Sequence, residues 1–426
     1  MTADAPDRPR VAEDPPTRPP VQASDGMVYV HFPYCGSKCP YCDFNSHVVA
    51  HDDVAYADAV LAELEARGAA LRPPPGGLSS IYLGGGTPSL WAPSQVGRVL
   101  SALKARFGLR PGAELTLEAN PESAQPERLA AFRAAGVNRF SIGCQSFDEA
   151  ELAALGREHD ARASQEAVRA AIATGARVSL DLIYGLPGQS TEAARRSVDR
   201  ALALSPDHLS AYALTVEPDT LLERRVRLGR FRPMPDDEQA RLIEAVSAHL
   251  AGAGFVRYEV SSYARQGRVS LHNTGYWQGA AYLGLGAGAH SYLPAPGLDR
   301  AERRENVRSP ARYVDTALAG DVEASWTEVL DAARIAGDRL MIAFRSRFGL
   351  DVGDFVEELS GAVDPAPLEA ATARLVREGL LERVGARLRP TARGWLFNDV
   401  VARAMMDAAE EATRPESSIA TTGGGC

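Results

Sequence analysis

The sequence predicts an α/β protein built on a partial (β/α)6 barrel that is similar to a TIM barrel. Six short runs rich in Val, Ile, Leu and Tyr recur between residues 27 and 214, and each is followed by a longer stretch with helical spacing. Strands that alternate with helices in this way form a parallel sheet. In a barrel of this kind, the loops after the strands carry the chemistry.

The third predicted strand shows how the two strand faces divide. Alternation puts Leu115 and Leu117 on one face of this strand. Thr116 and Glu118 lie on the other face, so one face suits an apolar core and the other a polar interior. The six predicted strands are MVYVHF (27–32), SSIYLG (79–84), AELTLE (113–118), NRFSIG (138–143), RVSLDLIYG (177–185) and DHLSAYAL (207–214).

Polar residues recur on the same kind of face in the strands that follow. Gln145 lies in phase with Ser141 just after the fourth strand. Asp181 lies in phase with Ser179 in the fifth strand, and Tyr212 lies on the polar face of the sixth. A purely structural barrel fills this face with branched apolar side chains. The pattern therefore predicts an interior lined for ligand binding near the carboxyl ends of the strands.

The composition limits the classes of protein to which the chain can belong. Hydrophobic residues make up 45% of the 426 residues and charged residues 24%, which is typical of a folded globular chain. The formal charge of -9 argues against a large nucleic-acid interface, so we expect no nucleic-acid partner. Five cysteines, three of them bunched, are unlike a disulfide framework and predict a reducing cytoplasm. No apolar run reaches the roughly 18 residues that span a bilayer, which leaves peripheral membrane contact open.

The chain divides into five predicted segments. A proline-rich leader at 1–26 lacks the apolar region of a signal peptide, and we expect it to be disordered. The barrel core covers 27–215, and an accessory segment of irregular pattern follows at 216–325. Helices and two short strands at 326–410 predict a smaller α+β domain similar to a winged helix. A disordered tail is expected at 411–426.

Three cysteines with CxxxCxxC spacing follow the first strand, at Cys35, Cys39 and Cys42. Thiolates are soft ligands that suit zinc or an iron-sulfur cluster. A zinc site normally closes with a fourth Cys or His. The histidines that keep a zinc site open as an alternative are His31, His47 and His51. A cubane cluster held by three cysteines instead leaves one iron without a protein ligand, where a cofactor can bind.

The CxxxCxxC run, with Tyr41 before its last cysteine, resembles the radical S-adenosylmethionine (SAM) superfamily. The resemblance implies a 4Fe-4S cluster whose open iron chelates the amino and carboxylate groups of SAM. It also implies one-electron cleavage of SAM to methionine and a 5'-deoxyadenosyl radical. The run GGGTP (84–88) lacks the ending of a phosphate loop, and the same resemblance places it against the amino group of SAM.

Further runs resemble the oxygen-independent coproporphyrinogen III oxidase group and its relatives, the HemW-type haem chaperones. These runs are LEANPE, GCQSFD, LGREH, DLIYGLPGQ and AYAL. Carried over position by position, the resemblance implies a SAM pocket lined by Tyr29, Tyr41, Gly85, Gly86, Thr87, Glu118, Gln145, Arg157, Asp181 and Ala213. Cys144 falls on the apolar face of its strand and is expected to be a buried core thiol rather than a cluster ligand.

Two positions separate the members of this group. The oxidases carry a further cysteine two residues after the third ligand, where this chain has Phe44. The run HNTGYW (272–277) is similar to one that is characteristic of the chaperones and implies haem binding. Because imidazole is a common ligand of haem iron, His272 is the first candidate for the axial ligand and His290 the second.

Two arginine-rich segments offer guanidinium groups that suit the propionates of a tetrapyrrole. They contain Arg224, Arg225, Arg227, Arg230 and Arg232, and Arg300, Arg303, Arg304 and Arg308. A solvated face is the ordinary explanation of such segments. RNA phosphates are a further alternative, since some radical SAM enzymes modify RNA.

The sequence thus predicts a cytoplasmic haem chaperone of the radical SAM fold that binds a 4Fe-4S cluster, SAM and haem and delivers haem to apo-proteins. No catalytic residue is assigned. The alternatives are an oxygen-independent coproporphyrinogen III oxidase and an RNA-modifying radical SAM enzyme. The sequence leaves a homodimer open.

Overall fold

The computed structural model describes residues 19–358 and 364–412. Six parallel strands form its centre and pair in chain order. They are β1 Gly26–Phe32, β2 Leu78–Gly85, β3 Leu109–Ala119, β4 Arg139–Gln145, β5 Arg177–Tyr184 and β6 His208–Ala213. The α/β class and all six predicted strands are confirmed, although β3 begins at Leu109, four residues before its predicted start.

Helices connect these strands and cover the outer face of the sheet. They are α1 Asp53–Arg67, α2 Pro93–Phe107, α3 Pro126–Ala135, α4 Glu149–Ala154, α5 Ala161–Ala173 and α6 Thr191–Leu202. Side-chain caps fix several starts; Asp52, for example, accepts hydrogen bonds from the first backbone amides of α1. Val28 and Val30 of β1 are fully buried in one core with Tyr56 and Val60 of α1. The alternate residues of the strands face the barrel interior.

The accessory segment, whose sequence pattern is irregular, consists of regular helices and strands. Its strands extend both ends of the central sheet to give the order β12-β11-β10-β9-β1-β2-β3-β4-β5-β6-β8-β7. The added strands are β7 Val256–Arg257, β8 Ser262–Ala264, β9 Ala281–Leu285, β10 His290–Pro294, β11 Arg300–Asn306 and β12 Ala324–Asp331. The helices of this segment are α7 Leu221–Arg227, α8 Asp236–Gly252, α9 Leu271–Gln278 and α10 Pro310–Leu318.

These strands lack a clear apolar alternation for local reasons. β7 and β8 are only two and three residues long. β11 reads RAERREN and is mostly charged. β9 contains Gly284, where a Cβ would lie 1.9 Å from the carbonyl oxygen of His290, so the close strand pairing here requires glycine.

The last part of the described chain forms the smaller α+β domain that the sequence predicts. It contains α11 Ala332–Ala343, β13 Leu350–Asp351, α12 Val352–Glu358, α13 Pro365–Arg377, β14 Leu381–Val384, β15 Arg387–Pro390, α14 Ala392–Leu396 and α15 Asn398–Ala412. The strands form an antiparallel sheet in the order β13-β15-β14. Leu340, Leu368 and Met405 are among the residues of its separate apolar core.

Most of the predicted leader and tail, residues 1–18 and 413–426, lies outside the described residues. The remainder of the leader differs from the prediction, because residues 19–26 are packed. Val21 is fully buried in a small cluster with Met27 and Ala280, and Arg110 donates to Asp25 over 3.0 Å. In the described part of the chain, no helix combines the length and the apolar character needed to cross a bilayer.

Candidate metal and cofactor site

A cavity of about 430 Å³ opens at the carboxyl ends of the parallel strands. Every predicted site residue except Tyr29 and His272 lines it. These residues are Cys35, Cys39, Tyr41, Cys42, Gly85, Gly86, Thr87, Glu118, Gln145, Arg157, Asp181 and Ala213. The strand phases explain the convergence, because successive parallel strands point their polar faces into one interior and end at the same edge.

The three cysteine side chains are partly exposed to this cavity, and each has a polar neighbour. Arg157 Nη1 donates to Cys39 Sγ over 3.2 Å, and Thr87 Oγ1 donates to Cys35 Sγ over 3.4 Å. Cys42 Sγ lies 4.0 Å from Ser46 Oγ. Burial raises the pKa of the Cys35 and Cys42 thiols, and a bound cation reverses this because it favours the thiolate.

The three thiols form a donor set of the kind that holds an iron-sulfur cluster. Within residues 19–358 and 364–412, no three Cys, His, Asp or Glu side chains stand close enough together to bind one metal ion. In a cubane each thiolate binds a different iron, so its three sulfurs stand further apart than around a single zinc. Cys35, Cys39 and Cys42 all line the cavity, so their thiols are open to a cluster of this kind.

The three nearby histidines each already have a polar partner. His31 Nε2 lies 2.9 Å from the carbonyl oxygen of Asn45, and its Nδ1 lies 3.0 Å from the hydroxyl of Tyr29. His47 Nε2 contacts Asn45 Oδ1 at 3.1 Å. His51 Nε2 lies 3.2 Å from Asp53 Oδ1.

The cysteine loop is fixed at both ends. Its backbone is closed by hydrogen bonds from Cys35 to the carbonyl of His47, over 3.0 Å, and from His47 to the carbonyl of Pro33, over 2.7 Å. The Asn45 amide donates across the sheet edge to the carbonyls of Ala287 and Arg308, over 3.1 and 3.0 Å. The accessory segment therefore positions the loop that carries the thiols.

The glycine run after β2 is required by the protein's own packing. Gly85 has a φ of +112°, and a Cβ there would lie 2.4 Å from the ring of His31. A Cβ on Gly86 would lie 2.6 Å from the carbonyl oxygen of Tyr34. The amide of Gly86 donates to Phe32 over 2.7 Å. The run thus brings β2 and the cysteine loop into contact at the cavity wall.

Two carboxyl groups face the cavity from inside the barrel. Glu118 accepts hydrogen bonds from the Tyr82 hydroxyl over 2.7 Å and from the Gly85 amide over 3.1 Å. Burial, assisted by nearby Asp181, raises the pKa of Glu118 to about 7. Burial also raises the pKa of Asp181, which accepts a hydrogen bond from Ser141 over 3.2 Å. Poorly solvated carboxyl groups of this kind suit the hydroxyl and ammonium donors of a ligand.

Arg157 connects the cysteines to the loop after β3. Its Nη2 donates to Asn120 Oδ1 over 2.8 Å, while Nη1 contacts Cys39. Asn120 in turn donates to Thr87 Oγ1 over 3.1 Å. Sequence reasoning did not single out Asn120, although the residue lies in the LEANPE run.

Gln145 has a φ of +63°, a strained conformation for a residue with a side chain, which is typical of functional sites.

The structure does not bring His272 to the cavity, and its assignment as the axial ligand of haem stays a prediction. Its side chain is only 1% exposed, and both ring nitrogens have partners, Ser80 Oγ at 2.8 Å and Tyr276 OH at 2.9 Å. Burial lowers the pKa of His272 to about 3. The HNTGYW run forms most of α9, which packs against β2 and β3. Tyr29 is also outside the cavity lining, although its hydroxyl contacts His31.

Two further predictions from the sequence have clear outcomes. Cys144 is fully buried in the main core, as predicted. In the second arginine-rich segment, most guanidinium groups already have partners. Arg303 binds Asp338 and Glu328, Arg304 donates to Asn306 and the carbonyl of Val322, and Arg308 lies 3.6 Å from Glu305.

Family models match both parts of the chain. The model for the radical SAM superfamily matches residues 29–201, and the model for the HemN C-terminal domain matches residues 330–397. Among solved structures, coproporphyrinogen III oxidase (HemN) from Escherichia coli, described as a radical SAM enzyme, matches with a TM-score of 0.73. The match covers 91% of each chain at 22% identity, which shows a common fold.

Curated relatives are similar over most of the chain. The heme chaperone HemW of Mycobacterium tuberculosis is 40% identical over 384 residues, which cover 89% of this chain and 94% of the relative. The heme chaperone HemW of Escherichia coli is 39% identical over 70% of this chain and 79% of its own. The mitochondrial radical S-adenosyl methionine domain-containing protein 1 of Mus musculus is 41% identical over 71% of this chain and 69% of its own.

Proposed function

Because the chain belongs to the HemW heme chaperone family within the radical SAM superfamily, we propose that it binds haem and delivers it to apo-proteins. The observation that carries the proposal is the 40% identity to a heme chaperone over 94% of that relative's length. The similarity covers 89% of this chain, so it extends over the cavity, the accessory strands and the C-terminal domain. The expected compartment is the cytoplasm.

Membership of the radical SAM superfamily implies a 4Fe-4S cluster and SAM. Cys35, Cys39 and Cys42 would hold the cluster, which supplies one-electron chemistry and an iron position open to SAM. The hydrogen bonds from Thr87 and Arg157 stabilise two of the thiolates and orient them. The remaining cavity residues, among them Glu118 and Asp181, are proposed to hold SAM.

Phe44 favours the chaperone over a coproporphyrinogen oxidase. This side chain is 63% exposed and stands at the cavity wall, at the position where the oxidases of this group carry a further cysteine. A phenyl ring has no proton or thiolate to offer to a substrate. It does offer apolar surface to a tetrapyrrole.

The experiment uses one anaerobically reconstituted sample for two assays. We expect titration with hemin to give a saturable Soret spectrum at one haem per chain. We expect incubation with coproporphyrinogen III, SAM and a reductant to give no protoporphyrinogen. Turnover of coproporphyrinogen would contradict the chaperone assignment, and so would the absence of saturable haem binding. A Phe44→Cys variant tests whether a thiol at this position introduces oxidase activity.

A further inference from the structure

We propose that haem binds on a patch of the sheet beside the cavity, formed by the exposed side chains of His290, Arg308 and Trp326 and the largely buried Glu305 between them, with the imidazole of His290 as the iron ligand. We call these four residues the His290 patch. The inference rests on the proposed haem-chaperone function and gives that function a location. It replaces His272, whose ring nitrogens are occupied in the protein interior.

Strand register brings three members of the patch into one row. His290 of β10 is paired with Glu305 of β11, and Glu305 is paired with Trp326 of β12. Residues directly opposite each other on neighbouring strands project from the same face. The rings of His290 and Trp326 accordingly lie 5.8 Å apart, at 60° to each other.

The imidazole of His290 is free to bind a metal. Its side chain is 54% exposed, and its Nε2 lies 3.7 Å from Glu305 Oε1, beyond hydrogen-bond distance. All eight histidines belong to the described residues, and each of the other seven has a ring-nitrogen contact of 3.2 Å or less. Burial and Arg308 lower the pKa of His290 and outweigh Glu305, so the ring is neutral at neutral pH, the form that binds iron.

The other members of the patch match the remaining chemistry of haem. Trp326 is 39% exposed and offers a flat apolar surface to the porphyrin. The Arg308 side chain is 58% exposed, with its Nε 3.6 Å from Glu305 Oε1. A propionate can accept from its outer guanidinium nitrogens while Glu305 keeps the inner one in place. One imidazole, one indole and one guanidinium therefore face the same region of solvent.

The patch adjoins the cysteine loop. Asn45, in that loop, donates to the backbone of Arg308, and a Cβ on Gly288 would lie 2.4 Å from Asn45 Nδ2. Phe44, next to Asn45, is 63% exposed, and Val48 and Val49 are 53% and 56% exposed. The loop thus carries exposed apolar side chains of its own. Haem at the patch would lie beside the SAM cavity without occupying it.

The test is a hemin titration of the full-length, anaerobically reconstituted chain, with Soret spectra of the ferric and ferrous forms. We expect His290→Ala to shift the Soret band and weaken hemin binding by about tenfold or more. We expect added imidazole to restore the wild-type spectrum in His290→Gly. The matched control is His249→Ala, another partly exposed histidine that lies on α8, remote from the patch in sequence. It should leave both the spectrum and the affinity unchanged.

Two further variants distinguish contacts with the porphyrin and its propionates from ligation of the haem iron. Trp326→Ala and Arg308→Leu should weaken hemin binding several-fold and leave the Soret position unchanged. Arg312→Leu, which removes another exposed arginine with an acidic partner, is the control for Arg308. Retention of the iron-sulfur absorption shows in each variant that the chain is folded.

The outcomes distinguish the two proposals. If the wild-type chain fails to bind hemin saturably, the proposed function fails. If the wild-type chain binds but His290→Ala keeps the wild-type spectrum, only the location at the patch is overturned. A folded His272→Gln variant that loses the spectrum would likewise overturn His290 as the ligand.

Discussion

Both ends of the barrel contain carboxyl groups, but only the carboxyl end leaves them facing a cavity. At the carboxyl end, three thiols and the carboxyl groups of Glu118 and Asp181 face a cavity. At the amino end, Glu114 is 1% exposed and accepts from Arg177 over 3.4 Å and from Ser270 over 3.1 Å. The polar groups at the carboxyl end can therefore bind a ligand. Those at the amino end are already bound to other residues of the chain.

The HNTGYW helix is responsible for much of this difference. α9 packs against β2 and β3, and the backbone amide of its His272 donates to Glu114 over 3.3 Å. A buried polar group without a partner is costly, so a closed end must satisfy its donors and acceptors internally. An open end can leave them for a ligand. The HNTGYW run therefore serves to cover the amino end of the barrel interior.

The largest effect expected at the open end is loss of the cluster. Cys35→Ala, Cys39→Ala or Cys42→Ala should each abolish the iron-sulfur absorption, because a cubane bound through three thiolates does not retain it with two. Absorption spectroscopy and iron analysis after anaerobic reconstitution measure this. Cys144→Ala, which removes a buried thiol from the core, is the control and should keep the cluster. Full iron content in any one of the three ligand variants would contradict the three-ligand site.

At the amino end, which α9 covers, we expect a substitution of His272 to lower the stability of the fold strongly while the cluster site stays intact. His272→Ala removes a buried ring and leaves Ser80 and Tyr276 without their partner, at a cost of about 4 kcal/mol in the free energy of unfolding. Urea denaturation of the apoprotein measures the cost. The folded fraction should reconstitute a normal cluster. A stable variant that cannot form the cluster would show that the two ends are not separate in function.

The carboxyl group of Glu118 should make the open end sensitive to pH. Its pKa in the folded chain is about 7, above the value of 4.5 for a free glutamate. The folded state therefore holds the proton more tightly, and stability falls as the pH rises from about 4.5 to about 7. Between pH 5 and pH 8, apoprotein with Glu118 should lose up to about 3 kcal/mol relative to Glu118→Gln.

A neighbouring carboxyl group supplies a control of opposite sign. Burial opposes ionisation of Glu122, but its contact of 2.9 Å with His159 prevails and lowers its pKa. The wild-type chain should therefore gain stability relative to Glu122→Gln as the pH rises towards about 4.5, and this difference should stay nearly constant between pH 5 and pH 8. Urea denaturation at several pH values measures both differences. A Glu118 difference that does not change between pH 5 and pH 8 would show that the carboxyl group is well solvated.

The smallest change in stability is expected from a substitution in residues 19–26, the segment that precedes β1. Val21 is fully buried with Met27 below the sheet, and a Cβ on Gly275 of α9 would lie 3.2 Å from Val21. Val21→Ala removes two methyl groups from this contact and should cost about 2 kcal/mol or less. Thermal or urea denaturation measures the loss, and cluster content should not change. An unchanged stability would indicate that residues 19–26 contribute nothing to the closed end.

The amino-acid sequence alone determined the six strands, their polar faces and the cysteine loop. Leu115, Leu117, Glu118 and Asp181 all lie on the predicted faces. These features depend on a local rule, the two-residue period of a strand, which a single segment displays by itself. The added strands of the accessory segment were missed, because β7 and β8 are very short, β11 is mostly charged, and β9 pairs with the distant strand β1.

Only the tertiary structure decided which histidine is available to a ligand. His272 stands in the more distinctive motif, yet its imidazole is enclosed by Ser80 and Tyr276. His290 follows a glycine-rich run and is left exposed next to Trp326. The physical reason is that the availability of a side chain depends on which partners surround it, and those partners are brought together by folding from positions far apart in the sequence.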